Sequence, residues 1–145
     1  MKILVSACLL GEPCRYDGES RPCAHIIKLK EKHTLIPVCP EVMGGLPIPS
    51  AASEIQADGR LINRCGEDVT EEYRRGAQIV LELAREHGCD VAILKEKSPA
   101  CGKGRIYDGS FTGTLTDGNG VCAALLLENG IRVLGESEAE EIEHL

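Results

Sequence analysis

Four short apolar runs mark the chain, at residues 3–6, 34–38, 91–94 and 131–134. They are nearly continuous rather than alternating, the pattern of strands covered on both faces. Between the second and third runs lies the clearest helical stretch, residues 70–87. Tyr73, Ala77, Val80, Leu81 and Ala84 recur there at helical spacing and form one apolar stripe. Asp68 or Thr70 suits its start and Gly88 its end. Residues 24–32 and 120–128 have helical character, and Ser137-Glu138-Ala139-Glu140 opens a short terminal helix with a capping-box pattern. Residues 54–63 read as a small hairpin turning at Asp58-Gly59. Residues 8–22, 41–53 and 95–119 are rich in Gly and Pro and read as loops.

Strands alternating with helices predict an α/β fold. We expect a mainly parallel open sheet with helices on both faces, a Rossmann-like three-layer arrangement with a small hairpin. A length of 145 residues is about one domain at roughly 150 residues each, so residues 1–145 are read as one unit. Tyr-Asp-Gly occurs at residues 16–18 and again at 107–109, but at different distances from the preceding strands, so it does not mark a duplication.

Composition narrows the function. The net charge of −7 argues against non-specific binding to nucleic acid or anionic membrane. No apolar run approaches the ~20 residues of a bilayer span. The opening residues form a short apolar run that soon meets Gly11, Glu12 and Pro13, which is not an export signal, so a cytoplasmic location is expected. Three Tyr, one Phe and no Trp are too few for a nucleic-acid platform of stacked rings. A small-molecule substrate fits better; oligomeric state is not legible.

Eight cysteines are the anomaly. In a reducing compartment they point to metal binding or catalysis rather than disulfides. None forms Cys-x-x-Cys, so any metal must be gathered from distant segments. Cys8 lies just past the first strand, Cys39 just past the second, and Cys101 in the loop after the third. In a parallel sheet all three fall at the carboxyl edge, where open α/β sheets place ligands. Thiolates without a nearby His suit zinc, Cu(I) or iron–sulfur. Cys14 could complete a closed four-ligand zinc site; a four-iron cluster held by three cysteines would instead leave one iron open as a Lewis acid. Cys23, Cys65, Cys89 and Cys122 read as packing or loop residues. Glu41, two residues after Cys39, is a candidate acid or base, or a helix N-terminal carboxylate. Ser98 is a candidate hydrogen-bond donor to substrate, or a cap of the loop before Pro99. Asp17 and Asp108 each precede Gly and read as turn formers. The four His residues lie away from this edge, and Gly102-Lys103-Gly104 lacks the rest of a phosphate-loop pattern.

Three blocks carry a resemblance: residues 6–11 with Cys14-Arg15-Tyr16-Asp17-Gly18, residues 37–41 with Gly44-Gly45-Leu46, and residues 94–95 with Ser98-Pro99-Ala100-Cys101-Gly102. With Asp68-Val69-Thr70, Gly76-Ala77 and Ile106-Tyr107-Asp108-Gly109 they resemble the thiouracil desulfurase family along nearly the whole chain. The resemblance implies a [4Fe–4S] cluster held by Cys8, Cys39 and Cys101. It implies non-redox removal of sulfur from a thiolated pyrimidine base or nucleoside, with sulfide released and water supplying the oxygen. Glu41 and Ser98 match the assisting acid and serine by motif position. One departure stands out: the family commonly has an Arg in the proline-bearing stretch after Gly-Gly-Leu, and this chain reads Pro47-Ile48-Pro49-Ser50. The rival expectations are a cluster enzyme acting on another C–S bond or delivering sulfur, and a non-catalytic metal- or cluster-binding module in which Cys14 closes the site.

Overall fold

A computed structural model describes residues 1–145. Four strands, β1 (Lys2–Ser6), β2 (Thr34–Val38), β5 (Val91–Leu94) and β8 (Arg132–Gly135), form a sheet in the order β2-β1-β5-β8. Every pairing in it is parallel. The apolar runs are continuous because alternate residues feed two different cores. Leu4, Val38, Ala92, Leu94 and Val133 face one side, packed with α3 (Thr70–His87) and α4 (Val121–Glu128). Ile3, Val5, Val91, Ile93 and Leu134 face the other, against Ile26 of α1 (Ala24–Ile27) and against Ala139 and Ile142 of the terminal 3₁₀ segment Glu136–His144. This is the expected three-layer arrangement.

The chain crosses from β1 to β2 on one side of β1 and then returns to β5 and β8 on the other. That reversal opens a crevice at the carboxyl ends of β1 and β5, the usual ligand position in such sheets. Ser6, buried at the end of β1, bridges it: its Oγ accepts the Lys95 N–H at 2.9 Å.

Several expected elements differ. The stretch 41–53, read as loop, begins with a helical turn, α2 (Pro40–Met43). Proline suits its first position because that N–H has no helical partner. The turn lies tightly on α3. A Cβ on Gly44 would collide with the Glu72 carbonyl, and one on Gly76 with the Pro40 carbonyl. The stretch 95–119, also read as loop, contains a second hairpin, β6 (Arg105–Tyr107) paired with β7 (Leu115–Asp117). Its strands, Arg-Ile-Tyr and Leu-Thr-Asp, carry no apolar run that marks them. The first hairpin, β3 (Ser53–Ile55) with β4 (Leu61–Asn63), is where it was expected. The helix over 24–32 tightens to a 3₁₀ turn at Lys28–Glu31, and the terminal helix is 3₁₀ throughout. There Glu138 reaches back to accept the Gly135 N–H at 3.0 Å.

Candidate active site

One cavity of about 320 Å³ opens at the carboxyl edge of the sheet, and it collects Cys8, Cys14, Cys39, Glu41, Ser98 and Cys101. Each arrives by a separate local device. Cys8 sits in the 3₁₀ turn Ala7–Leu10, whose carbonyls accept the amides of Gly11, Arg21 and Cys23 and so fold the 8–23 loop back over it. Cys39 precedes α2, and its carbonyl accepts the Met43 N–H. Cys101 lies in a loop docked on the start of α4: the N–H groups of Gly120, Val121 and Cys122 donate to the carbonyls of Gly102, Pro99 and Ala100. Gly120 is needed there, because a Cβ would fall within 2.5 Å of the Ala100 carbonyl carbon.

The four thiols differ in setting. Cys8 and Cys101 are buried, and Cys14 and Cys39 are half-buried. The Cys39 thiol donates to the Cys14 carbonyl at 3.5 Å. The neighbouring Cys39 thiol favours the Cys14 thiolate, but the Cys8 thiol and burial outweigh it and push the Cys14 pKa up to about 11. Cys39 is pushed up by its bond with Cys14, then by burial and the Glu41 charge. Cys101 is raised by burial and then by Glu41, while a bond with Ser6 opposes the rise. Glu41 stands in the first turn of α2. Burial lifts its carboxyl to about 7, although its own backbone N–H and the Arg15 charge favour the ionised form. Such a carboxyl can both give and take a proton near neutrality.

Ser98 does cap its loop, since Oγ accepts the N–H groups of Ala100 and Cys101, each at 3.1 Å. Those two donors occupy the hydroxyl's acceptor side and leave its own proton free to be donated.

The opposite wall comes from the two hairpins. Buried Glu54 of β3 accepts the N–H groups of Gly109 at 2.9 Å and Phe111 at 3.2 Å, so the first hairpin holds the turn of the second. Phe111 adopts a positive φ of 58°, and the Arg64 guanidinium lies 5.3 Å from its ring centre. All the aromatic residues of the chain, Tyr16, Tyr73, Tyr107 and Phe111, line the cavity.

A sequence model of the 2-thiouracil desulfurase family matches residues 3–138. The chain belongs to this family. It is 41% identical to the uncharacterized protein YbbK of Bacillus subtilis, covering 97% of this chain and 99% of that one. Among solved structures it is similar to the [4Fe-4S]-dependent thiouracil desulfidase TudS, with a TM-score of 0.90, 42% identity and 99% coverage of both chains.

In this desulfurase-family chain the six residues singled out from the sequence share one cavity. Cys122 is buried in the core and Cys65 lies exposed; neither lines the cavity, and nor do Cys23 and Cys89. Asp17 and Asp108 form turns, accepting the N–H groups of Glu19 and Ser110. The Pro47–Ser50 stretch, which lacks the family's usual Arg, runs beside the 14–18 loop, with the Ser50 N–H donated to the Tyr16 carbonyl at 2.8 Å. Sequence reasoning missed Arg15, Arg64, Glu54 and the aromatic lining. Four rings scattered through the chain carry no local pattern; only the fold gathers them.

Proposed function

We propose that this protein is a [4Fe–4S]-dependent desulfurase that converts a thiolated pyrimidine and water into the oxo-pyrimidine and sulfide. The observation that carries this reading is the convergence of Cys8, Cys39 and Cys101, from the ends of three parallel strands, on one cavity. Its likeness to a thiouracil desulfidase over the full chain supports the same chemistry.

The donors fit the cluster. They are thiols, which suit soft metals. Three thiols gathered at one cavity suit ligation of separate irons in a cluster. Cys8, Cys39 and Cys101 would hold it, and it would supply an iron without a protein ligand, a Lewis acid for the thiocarbonyl sulfur.

The rest falls to the chain. Glu41 takes a proton from the attacking water and returns one to the departing sulfur. Ser98 donates its free hydroxyl proton to a substrate heteroatom. The aromatic lining excludes water from the flat ring and offers it stacking faces. The C–S bond is replaced by C–O with no net change of oxidation state, so the reaction needs no electron donor.

A second reading, a closed non-catalytic site, draws on Cys14, which lines the same cavity and whose carbonyl accepts the Cys39 thiol. Anaerobic reconstitution with iron and sulfide separates the two. The enzyme reading expects about four irons and four sulfides per chain, lost in C8A, C39A and C101A but kept in C14A, and sulfide released from 2-thiouracil. No iron uptake, or uptake indifferent to those three cysteines, overturns it; loss of metal in C14A supports the closed site.

A further inference from the structure

Two serine hydroxyls at the cavity wall are engaged by the backbone. Ser6 accepts the Lys95 N–H, and Ser98 accepts those of Ala100 and Cys101. Tyr73 is different. It lies on the apolar stripe of α3 and is only 3% exposed, yet it lines the cavity. No carbonyl or carboxylate of the protein accepts its hydroxyl proton. The hydroxyl is not sealed away either, as Arg15 Nη1 and His33 Nδ1 are, so the surface it keeps faces the cavity. A buried donor without an acceptor is costly unless something in the cavity completes it.

Two properties suit this hydroxyl to work there. Its place is fixed. On either side of Tyr73, Glu72 and Gly76 lie against Gly44 and Pro40 so closely that neither glycine has room for a Cβ. The turn between Pro40 and Gly44 is α2, which carries Glu41, so one backbone contact sets the carboxyl and the phenol relative to each other. Its proton is also held. Burial and then the Glu41 charge raise the phenol above its usual range, and the neighbouring Ser53 hydroxyl opposes them only in part. A neutral phenol both accepts and donates hydrogen bonds.

We infer that Tyr73 is a further catalytic residue whose hydroxyl holds the oxygen atom that replaces the substrate's sulfur, first as water and then as the carbonyl of the product. The inference rests on the desulfurase reading and deepens it. As water, the oxygen gives one hydrogen bond to Tyr73 and one to Glu41, which leaves a lone pair aimed at the thiocarbonyl carbon. Glu41 takes the first proton as the C–O bond forms and passes it to the sulfur as the C–S bond breaks. The second proton follows the same route when the oxygen becomes a carbonyl, and the Tyr73 hydroxyl then donates to that oxygen. Thione and water give oxo-pyrimidine and hydrogen sulfide, with no electron gained or lost and Tyr73 neutral throughout. Because the substrate does not carry this oxygen, the bond should act on the chemical step and on product binding, and leave substrate binding alone.

Tyr73→Phe tests this by removing the hydroxyl and keeping the ring. The reconstituted variant should match wild type in iron and sulfide content and keep the KM for 2-thiouracil within about twofold. Loss of the thione in a single turnover should slow at least about tenfold. Uracil, which carries the new oxygen, should bind about three- to tenfold more weakly by calorimetry. Unchanged turnover and uracil affinity would make Tyr73 a packing residue and overturn the inference. A raised KM for 2-thiouracil with an unchanged chemical step overturns it too, since Tyr73 would then grip the ring. Loss of iron overturns it by assigning the hydroxyl to the cysteines Cys39 and Cys101. If wild type itself releases no sulfide, the desulfurase reading fails and the inference falls with it; an active wild type matched by Tyr73→Phe sinks the inference alone.

Discussion

Cys101 and Cys122 are both buried, and both belong to the core on the α3 and α4 side of the sheet. Only Cys101 reaches the cavity. Burial pushes Cys122 up to about 12, which suits a packing residue that never ionises. Cys122→Ala should therefore bind iron like wild type and lose about 1 kcal/mol of stability for the small void it leaves. Cys101→Ala should lose the iron. Metal counting beside a denaturant melt checks both, and iron loss in Cys122→Ala would undo the distinction. At this scale the sequence shows the three strand-end cysteines, because a residue just past an apolar run can be placed from the run alone. It does not show the Tyr73 hydroxyl. Tyr73 fits the apolar stripe of α3 as any packing residue would, and its place at the cavity exists only once α2 has docked on α3.

Elements that reach the cavity are fixed by close backbone approach more than by side-chain packing. Gly76 occupies the middle of α3, where alanine alone would favour the helix by about 1 kcal/mol. The Pro40 carbonyl lies where its Cβ would go. Gly76→Ala should thus destabilise by about 2–3 kcal/mol, because α2 must shift away. It should also impair iron retention, since Cys39 leads directly into α2. A melt together with iron content checks this, and a stabilised, fully loaded variant would refute the contact. The hairpins give a second test. Glu54→Ala should release the amides of Gly109 and Phe111, which it accepts, so their hydrogen exchange should accelerate while β1 and β5 stay protected. The sheet strands were legible as continuous apolar runs of four or five residues, and α3 because its stripe repeats along 18 residues. The α2 turn and the β6–β7 hairpin were not, because their residues form no continuous apolar run and tertiary contacts decide them.

At the scale of the whole molecule, the carboxyl edge of the sheet is closed by segments distant in sequence, and the chain's last residues are among them. Glu136 accepts the Glu96 N–H and pairs with Lys95, and the Ser137 N–H donates to Glu96, so the terminal segment clamps the strand β5 exit that leads to Ser98 and Cys101. The fold class was readable because four buried runs joined by crossover helices leave few parallel arrangements. This clamp was not, because it depends on charges that look like an ordinary acidic terminus. Glu138 belongs to the same closure: it accepts the Gly135 N–H and pairs with Lys103 at 3.3 Å. The Gly135 bond, aided by Lys103, holds its carboxyl below the usual range against a small opposing effect of burial. A carboxyl depressed in the folded state stabilises above its unfolded pKa, and that stabilisation fades as pH falls through the folded value. Replacing it by Gln keeps an acceptor for Gly135 but removes the charge. Glu138→Gln should therefore melt about 1–2 °C below wild type at pH 7, a modest shift because the pair is partly exposed. The gap should shrink in high salt and close only once pH falls below the carboxyl's depressed folded value, where both side chains are neutral. Thermal melts across pH check this; a gap that persists at acid pH would assign the loss to packing instead of charge.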